Sequence, residues 1–277
     1  NRVIRRHPEL MANLARTVLF RTRQNRRKNP RAEPRIFALM AASATLNVKA
    51  RAVLLQKELV LLGKRVLLVE QDATDLNSAW FDQAERMNDI IILIVEFPHG
   101  VWANACRRQA DRIWILARAD LSPVDYLPTV QQAGVQGLHL TDVVLVRASD
   151  TKFQSYGADW KAATNAARLF KWTDNAPLHT QKLARIMAGT SLGLVLGGGG
   201  ARAYAHIGAV RALREAGYAF DFVGGTSMGG VIAACIASGW DDSEIERRIW
   251  AAFVKNSPLD DFLLPVVAMT AGKKVDR

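Results

Sequence analysis

At 277 residues, with 49% apolar and 23% charged side chains, the chain has the composition of a globular protein and the length for about two domains. No apolar run reaches the roughly 18 residues that a membrane-spanning helix needs. Two distant cysteines, Cys106 and Cys235, exclude a disulfide scaffold or a cysteine-rich metal site. The net charge of +11, from 37 basic and 26 acidic residues, favours anionic partners.

In chain order, a helix is expected after Pro8, with Leu10, Leu14 and Val18 on one stripe. A basic stretch follows in which Arg21, Arg23, Arg26, Arg27 and Lys28 crowd together. Residues 1–34 therefore read as a helix and basic linker belonging to a domain upstream. The basic run suits a solvated linker or an anionic membrane surface. It lacks the interleaved aromatic rings on which nucleic-acid bases stack, so no nucleic acid is expected. The opening residues include no apolar signal segment, which reads as a fragment of a cytoplasmic protein, peripheral at most on the inner face of a membrane.

Residues 35–149 read as an α/β unit. Strand Arg35–Ala41, helix Val48–Leu62, a strand in GKRVLLVEQD, a strand in IIILIVEF, a helix near Val101–Gln109 and strands in ADRIWILARA and DVVLVRA follow one another. Strands alternating with helices predict a parallel, doubly wound sheet. The layout resembles the ATPases that partition chromosomes and place division sites. Those carry a glycine-rich phosphate loop with a lysine after the first strand. Here that stretch is AASATLNVKA, without a glycine, and such a loop cannot bring successive amides onto a phosphate. The unit is thus expected to be a degenerate P-loop-like (Rossmann/P-loop-like) scaffold, with Lys49 a surface charge. Residues 150–190 read as a helical connector, docked between two sheets by Trp160, Ala167, Phe170 and Trp172.

Residues 191–277 carry the densest signal. Strand Leu192–Leu196 runs into a glycine loop, Gly197–Gly200, and a helix Ala203–Ala216 that Gly217 closes. A second strand, Phe220–Gly224, ends in the turn Gly225-Thr226-Ser227-Met228-Gly229, and a helix Met228–Ser238 follows. A right-handed βαβ unit places loop and turn together at the carboxyl ends of parallel strands, where open α/β sheets carry their sites. A serine on such a turn presents its hydroxyl above the sheet, and glycine amides nearby form an anion nest for an acyl-transfer oxyanion. Further on, Ser243-x-x-Glu246 predicts a capping box for a helix bearing Ile245, Ile249 and Phe253. The apolar run FLLPVV near the end suits packing or a lipid-facing lid.

GGGGAR and GTSMG, with HIGA between them, resemble the motifs of the patatin-like phospholipase family, and among its members the neuropathy-target-esterase branch. The resemblance implies a Ser–Asp dyad with Ser227 as nucleophile. It makes the amides of Gly198, Gly199 and Gly200 the oxyanion hole, Arg202 the loop's basic residue, and Gly225, Thr226, Met228 and Gly229 the nucleophile elbow. Ala203 stands where the family has a glycine, and no Asp-Gly dipeptide occurs in the chain. The dyad's aspartate is therefore expected beyond residue 277, with residues 191–277 the N-terminal part of a patatin-like domain. A fragment of this kind would be inactive by itself. The implied reaction is hydrolysis of fatty-acyl esters of phospholipids or lysophospholipids, without metal or cofactor. The implied upstream module would take a cyclic-nucleotide effector.

The residues agree with a dyad, since none of the five histidines follows Ser227. His206 is expected on the helix surface or bracing the loop. Two other readings stay open: a nucleotide- or dinucleotide-binding α/β protein, with Gly198-x-Gly200 opening a helix and Asp221 about twenty residues on, or a non-catalytic, membrane-associated regulatory fragment.

Overall fold

A computed structural model describes residues 33–43, 45–71, 77–97, 100–123, 140–148 and 156–255. The helix expected after Pro8, the basic linker, His7, His99, His139 and the FLLPVV run lie outside the described residues. The chain divides into two compact units, residues 1–189 and 190–277.

In the first unit the elements are β1 (Ile36–Ala41), α1 (Val48–Leu61), β2 (Val66–Val69), α2 (Ser78–Met87), β3 (Ile90–Val95), α3 (Gly100–Gln109), β4 (Arg112–Arg118), β5 (Leu140–Arg147), α4 (Gly157–Thr164), β6 (Arg168–Thr173) and α5 (Pro177–Met187). The six strands form one sheet in the order β2-β3-β1-β4-β5-β6, and every pairing is parallel. Helices cover both faces, which is why β1 and β3 are buried along their whole length and read as unbroken apolar runs. Alternate residues of β1 feed two cores. Phe37, Leu39 and Ala41 face α1 and α5, whereas Ile36, Ala38 and Met40 face α2 and α3. Burying each large apolar side chain here contributes about 1.5–3 kcal/mol. Trp114 meets Phe37 edge-on at 5.8 Å.

The connector expected over residues 150–190 is not helical throughout. Residues 168–173 form the edge strand β6, paired with β5. Phe170 and Trp172 alternate with exposed Lys171 at the period of a strand, and β5 offers an open edge that outweighs local helix propensity. The aromatic residues expected to dock the connector between two sheets lie instead in the first unit's own cores, Phe170 and Trp172 in one and Trp160 in the other.

The loop after β1 is closed on itself. Ser43 Oγ lies 2.9 Å from Thr45 Oγ1 and accepts from the Thr45 amide, and the Leu46 amide donates to the Ser43 carbonyl. Asn47 caps α1 by accepting from the Ala50 amide. These amides are spent within the turn. Lys49 pairs with Glu70 at 2.8 Å on the surface.

At the opposite edge of the sheet, Asp142 is fully buried on β5. It accepts from Arg112 on β4 at 2.9 Å, from Arg168 on β6 at 2.8 and 3.1 Å, and from the Trp114 indole at 3.0 Å. Burial pushes its carboxyl up from 3.8 to about 6, against the pull of Arg112 and Trp114. The folded carboxyl then holds its proton more tightly than the unfolded one. Its contribution to stability is fully present below about pH 4 and declines as pH rises to about 6, by on the order of 3 kcal/mol. Urea midpoints for wild type and Asp142→Asn across this range test the sign. The difference between the two proteins should move against wild type as pH rises, and a constant difference would refute the shift.

The second unit holds β7 (Gly193–Leu196), a 3₁₀ turn (Gly200–Tyr204), α6 (Ala205–Glu215), β8 (Phe222–Gly225), α7 (Met228–Ala237), α8 (Asp242–Ile249) and a π-helical segment (Trp250–Lys255). Strands β7 and β8 pair in parallel, Leu196 opposite Gly225. Leu196, Ile207, Val210, Ile232, Ile245 and Ile249 share one core. Gly217, at φ 86°, follows the end of α6 as expected. The predicted capping box is corrected: Asp241 is the N-cap of α8, its Oδ1 accepting from the Glu244 amide at 2.8 Å and the Ser243 hydroxyl at 2.7 Å. The helix starts two residues earlier than that box requires, so the Ser243 hydroxyl supports the cap instead of forming it. Among the described residues, no helix is long and apolar enough to cross a membrane.

Candidate active site

The turn after β8 is held against the end of β7 by backbone contacts. The Thr226 amide donates to the Leu196 carbonyl at 3.1 Å, and α7 opens with the Gly230 and Val231 amides donating to the Ser227 carbonyl. Gly225 and Gly229 permit this closeness. A Cβ on Gly229 would stand 2.5 Å from the Leu196 carbonyl oxygen, and one on Gly225 would stand 2.5 Å from the Gly229 carbonyl. The Leu196 carbonyl was not singled out in the sequence, because a backbone acceptor leaves no trace in residue identity.

Ser227 sits at φ 53° and ψ −130°, in the region that favours glycine. It occupies the N-cap position of α7, where serine ordinarily caps, yet its side chain makes no capping bond. The residue is exposed. No described residue hydrogen-bonds its hydroxyl. The turn therefore holds an uncommitted hydroxyl beside the N-terminus of α7, where no described residue accepts from the Met228 or Gly229 amides.

The glycine loop closes over this serine. A Cβ on Gly198 would stand 3.3 Å from Ser227 Cβ and 3.4 Å from the Thr226 carbonyl, so a side chain there would crowd the hydroxyl. Among the described residues, none accepts from the Gly198 or Gly199 amides. Gly199 leads into the 3₁₀ turn that Gly200 opens, and the Arg202 amide donates back to the Gly199 carbonyl at 3.1 Å. Arg202 is exposed. Ala203 is buried in the core, so its methyl group packs inward instead of narrowing the loop. The structure thus brings Gly198 and Ser227 into apposition and leaves Arg202 exposed on the 3₁₀ turn that follows the loop.

His206 lies on the first turn of α6, its Nε2 2.9 Å from the Gly197 carbonyl. That contact braces the loop, one of the two roles expected for it. Asp221 lies at the other end of β8. It is buried, and its carboxylate accepts from the Leu192 amide at 3.1 Å, which ties the starts of the two strands together. A ribose-binding acid would need a free carboxylate at the strand's carboxyl end, so Asp221 does not meet the dinucleotide reading. Four other acids of this unit are engaged among the described residues. Asp241 caps α8, Asp242 pairs with Arg214, Glu246 with Arg211, and Glu244 with Arg247 and Arg248. The two arginines hold the Glu244 carboxyl down at about 2.

Fold and site together define a parallel α/β protein with a glycine loop folded over a G-x-S-x-G turn. Residues 194–268 match the patatin-like phospholipase family, and residues 35–160 match the Neuropathy Target Esterase family P-loop like domain. An uncharacterised NTE family protein of Mycobacterium tuberculosis is 32% identical over 203 residues, covering 72% of this chain and 32% of that protein. Patatin-like phospholipase domain-containing protein 6 of Homo sapiens is 29% identical over 232 residues, covering 72% of this chain and 17% of its own length. The chain spans well under half the length of these relatives. A crystal structure of a ParA family ATPase from Chlorobium tepidum aligns at 13% identity over 58% of this chain and 94% of that one, with a TM-score of 0.37, too loose a likeness to carry an argument. The chain belongs to the neuropathy-target-esterase branch of the patatin-like phospholipases.

Proposed function

We propose that the protein is a serine esterase that releases fatty acid from phospholipids or lysophospholipids. The observation that carries this reading is Ser227, held at positive φ with an uncapped hydroxyl against a glycine loop whose Gly198 and Gly199 amides bond no described residue. In the reaction, Ser227 Oγ attacks the ester carbonyl carbon while its proton passes to a carboxylate base. The oxyanion takes hydrogen bonds from the amides of Gly198, Gly199 and Gly200, the alcohol departs with the proton, and water then hydrolyses the acyl-enzyme. Family likeness makes the base an aspartate, and no described carboxylate bonds the Ser227 hydroxyl. The exposed Arg202 guanidinium suits attraction of an anionic headgroup.

The net charge of +11 supports peripheral contact with an anionic membrane at the cytoplasmic face. A cyclic-nucleotide effector belongs to the same reading, through the upstream module that the family likeness implies. The test is fatty-acid release by the full-length natural protein from vesicles of a diacyl phospholipid and from micelles of a lysophospholipid. Release from either is expected. No release from both, in a protein that still folds, would overturn the assignment.

A further inference from the structure

A groove of ≈ 280 Å³ runs between α6 and the α8–π-helical segment of the second unit. It begins at Tyr204, the last residue of the turn that Gly200 opens, so one end lies a single turn from the glycine loop. Its floor is apolar, built from Ile207 and Ile249, and its outer wall is Trp250 and Val254, which are 55% and 52% exposed. The Arg211–Glu246 ion pair, at 3.1 Å, closes part of the rim. The outer wall is π-helical, an uncommon winding that recurs at functional sites.

Gly208 lines this groove from the second turn of α6. Glycine inside a helix weakens it relative to alanine, and such a glycine usually has a packing reason. Here the described residues supply none, since a Cβ at Gly208 would meet none of them within 4 Å. The missing side chain widens the groove and does nothing else for the described structure.

We propose that this groove holds the fatty acyl chain of the ester cleaved at Ser227, and that Gly208 is kept bare to admit it. The proposal rests on the esterase reading for its occupant. An acyl chain fits the apolar floor, the open outer wall and the end beside the glycine loop, and the Arg211–Glu246 pair confines its charged boundary to part of the rim.

The test uses the full-length natural protein. Gly208→Ala should unfold at the wild-type midpoint or above it, because the helix gains while no contact is crowded. Gly208→Leu should lower the ratio of kcat/KM for a long-chain ester over an acetyl ester by at least about tenfold, and Gly208→Ala should lower it in part. In a Ser227→Ala background, which removes turnover, Gly208→Leu should weaken binding of a long-chain fatty acid by a similar factor. An unchanged ratio and unchanged fatty-acid affinity in Gly208→Leu would overturn the proposal. A lowered unfolding midpoint in Gly208→Ala would also overturn it, because the groove would then be filled by protein, such as the Phe262–Val267 run. A change in oligomeric state would do the same, pointing to a second copy as the occupant. If wild type cleaves no ester, yet fatty acid binds and Gly208→Leu abolishes binding, the groove stands and the esterase reading falls.

Discussion

Ser227→Ala in the full-length protein should abolish fluorophosphonate labelling and lower ester hydrolysis by at least about 10³-fold, because the substitution removes the attacking oxygen. Stability should hardly change, since the hydroxyl bonds no described residue. Ser227→Gly separates chemistry from strain. It should be equally inactive, yet raise stability by about 1 kcal/mol, because only glycine takes φ 53° with ψ −130° cheaply. Labelling, steady-state hydrolysis and a denaturant melt on the three proteins check both parts. Activity retained in Ser227→Ala would put the nucleophile elsewhere. A destabilised Ser227→Gly would mean that the turn is not strained.

Gly229→Ala should be the most damaging methyl group that can be added to the second unit. Its Cβ would enter backbone and not the end of a flexible side chain, 2.5 Å from the Leu196 carbonyl oxygen and 2.8 Å from its carbon. Relief requires α7 to withdraw from β7, which pulls the Ser227 turn off the glycine loop and opens the core around Ile232 and Ala233. A loss of about 3 kcal/mol or more is expected, together with loss of labelling at Ser227. Gly224→Ala is the control. It lies in β8, just before the turn, with no described atom within 4 Å of its Cβ, and should be tolerated. Equal midpoints for the two alanine variants would show that α7 can shift freely, and the close-packed account of the turn would fail.

Much of the architecture was legible because its signals are local. The IIILIV run had to be a strand buried on both faces, and the absence of glycine from AASATLNVKA anticipated a loop that spends its own amides. Gly197–Gly200 and Gly225–Gly229 announced close backbone approaches through residue type. The failures came where a long-range partner decided the outcome. Residues 168–173 have helix-compatible composition, and only the free edge of β5 drew them into the sheet. Ser243 had the spacing of a cap, and Asp241 took that role because the helix begins at Asp242.

The sequence by itself therefore determined the alternation of strands and helices, the βαβ unit, and the serine and glycines that meet at its edge. These follow from periodicity and from the steric character of glycine, which travel with the residues. Tertiary structure alone decided that Gly198 lies over Ser227, that the Ser227 hydroxyl leaves its cap unmade, that Asp221 is consumed in tying two strands together, and that Gly208 opens a groove. Each depends on atoms brought together from distant parts of the chain, and distance in space is not written in the order of residues.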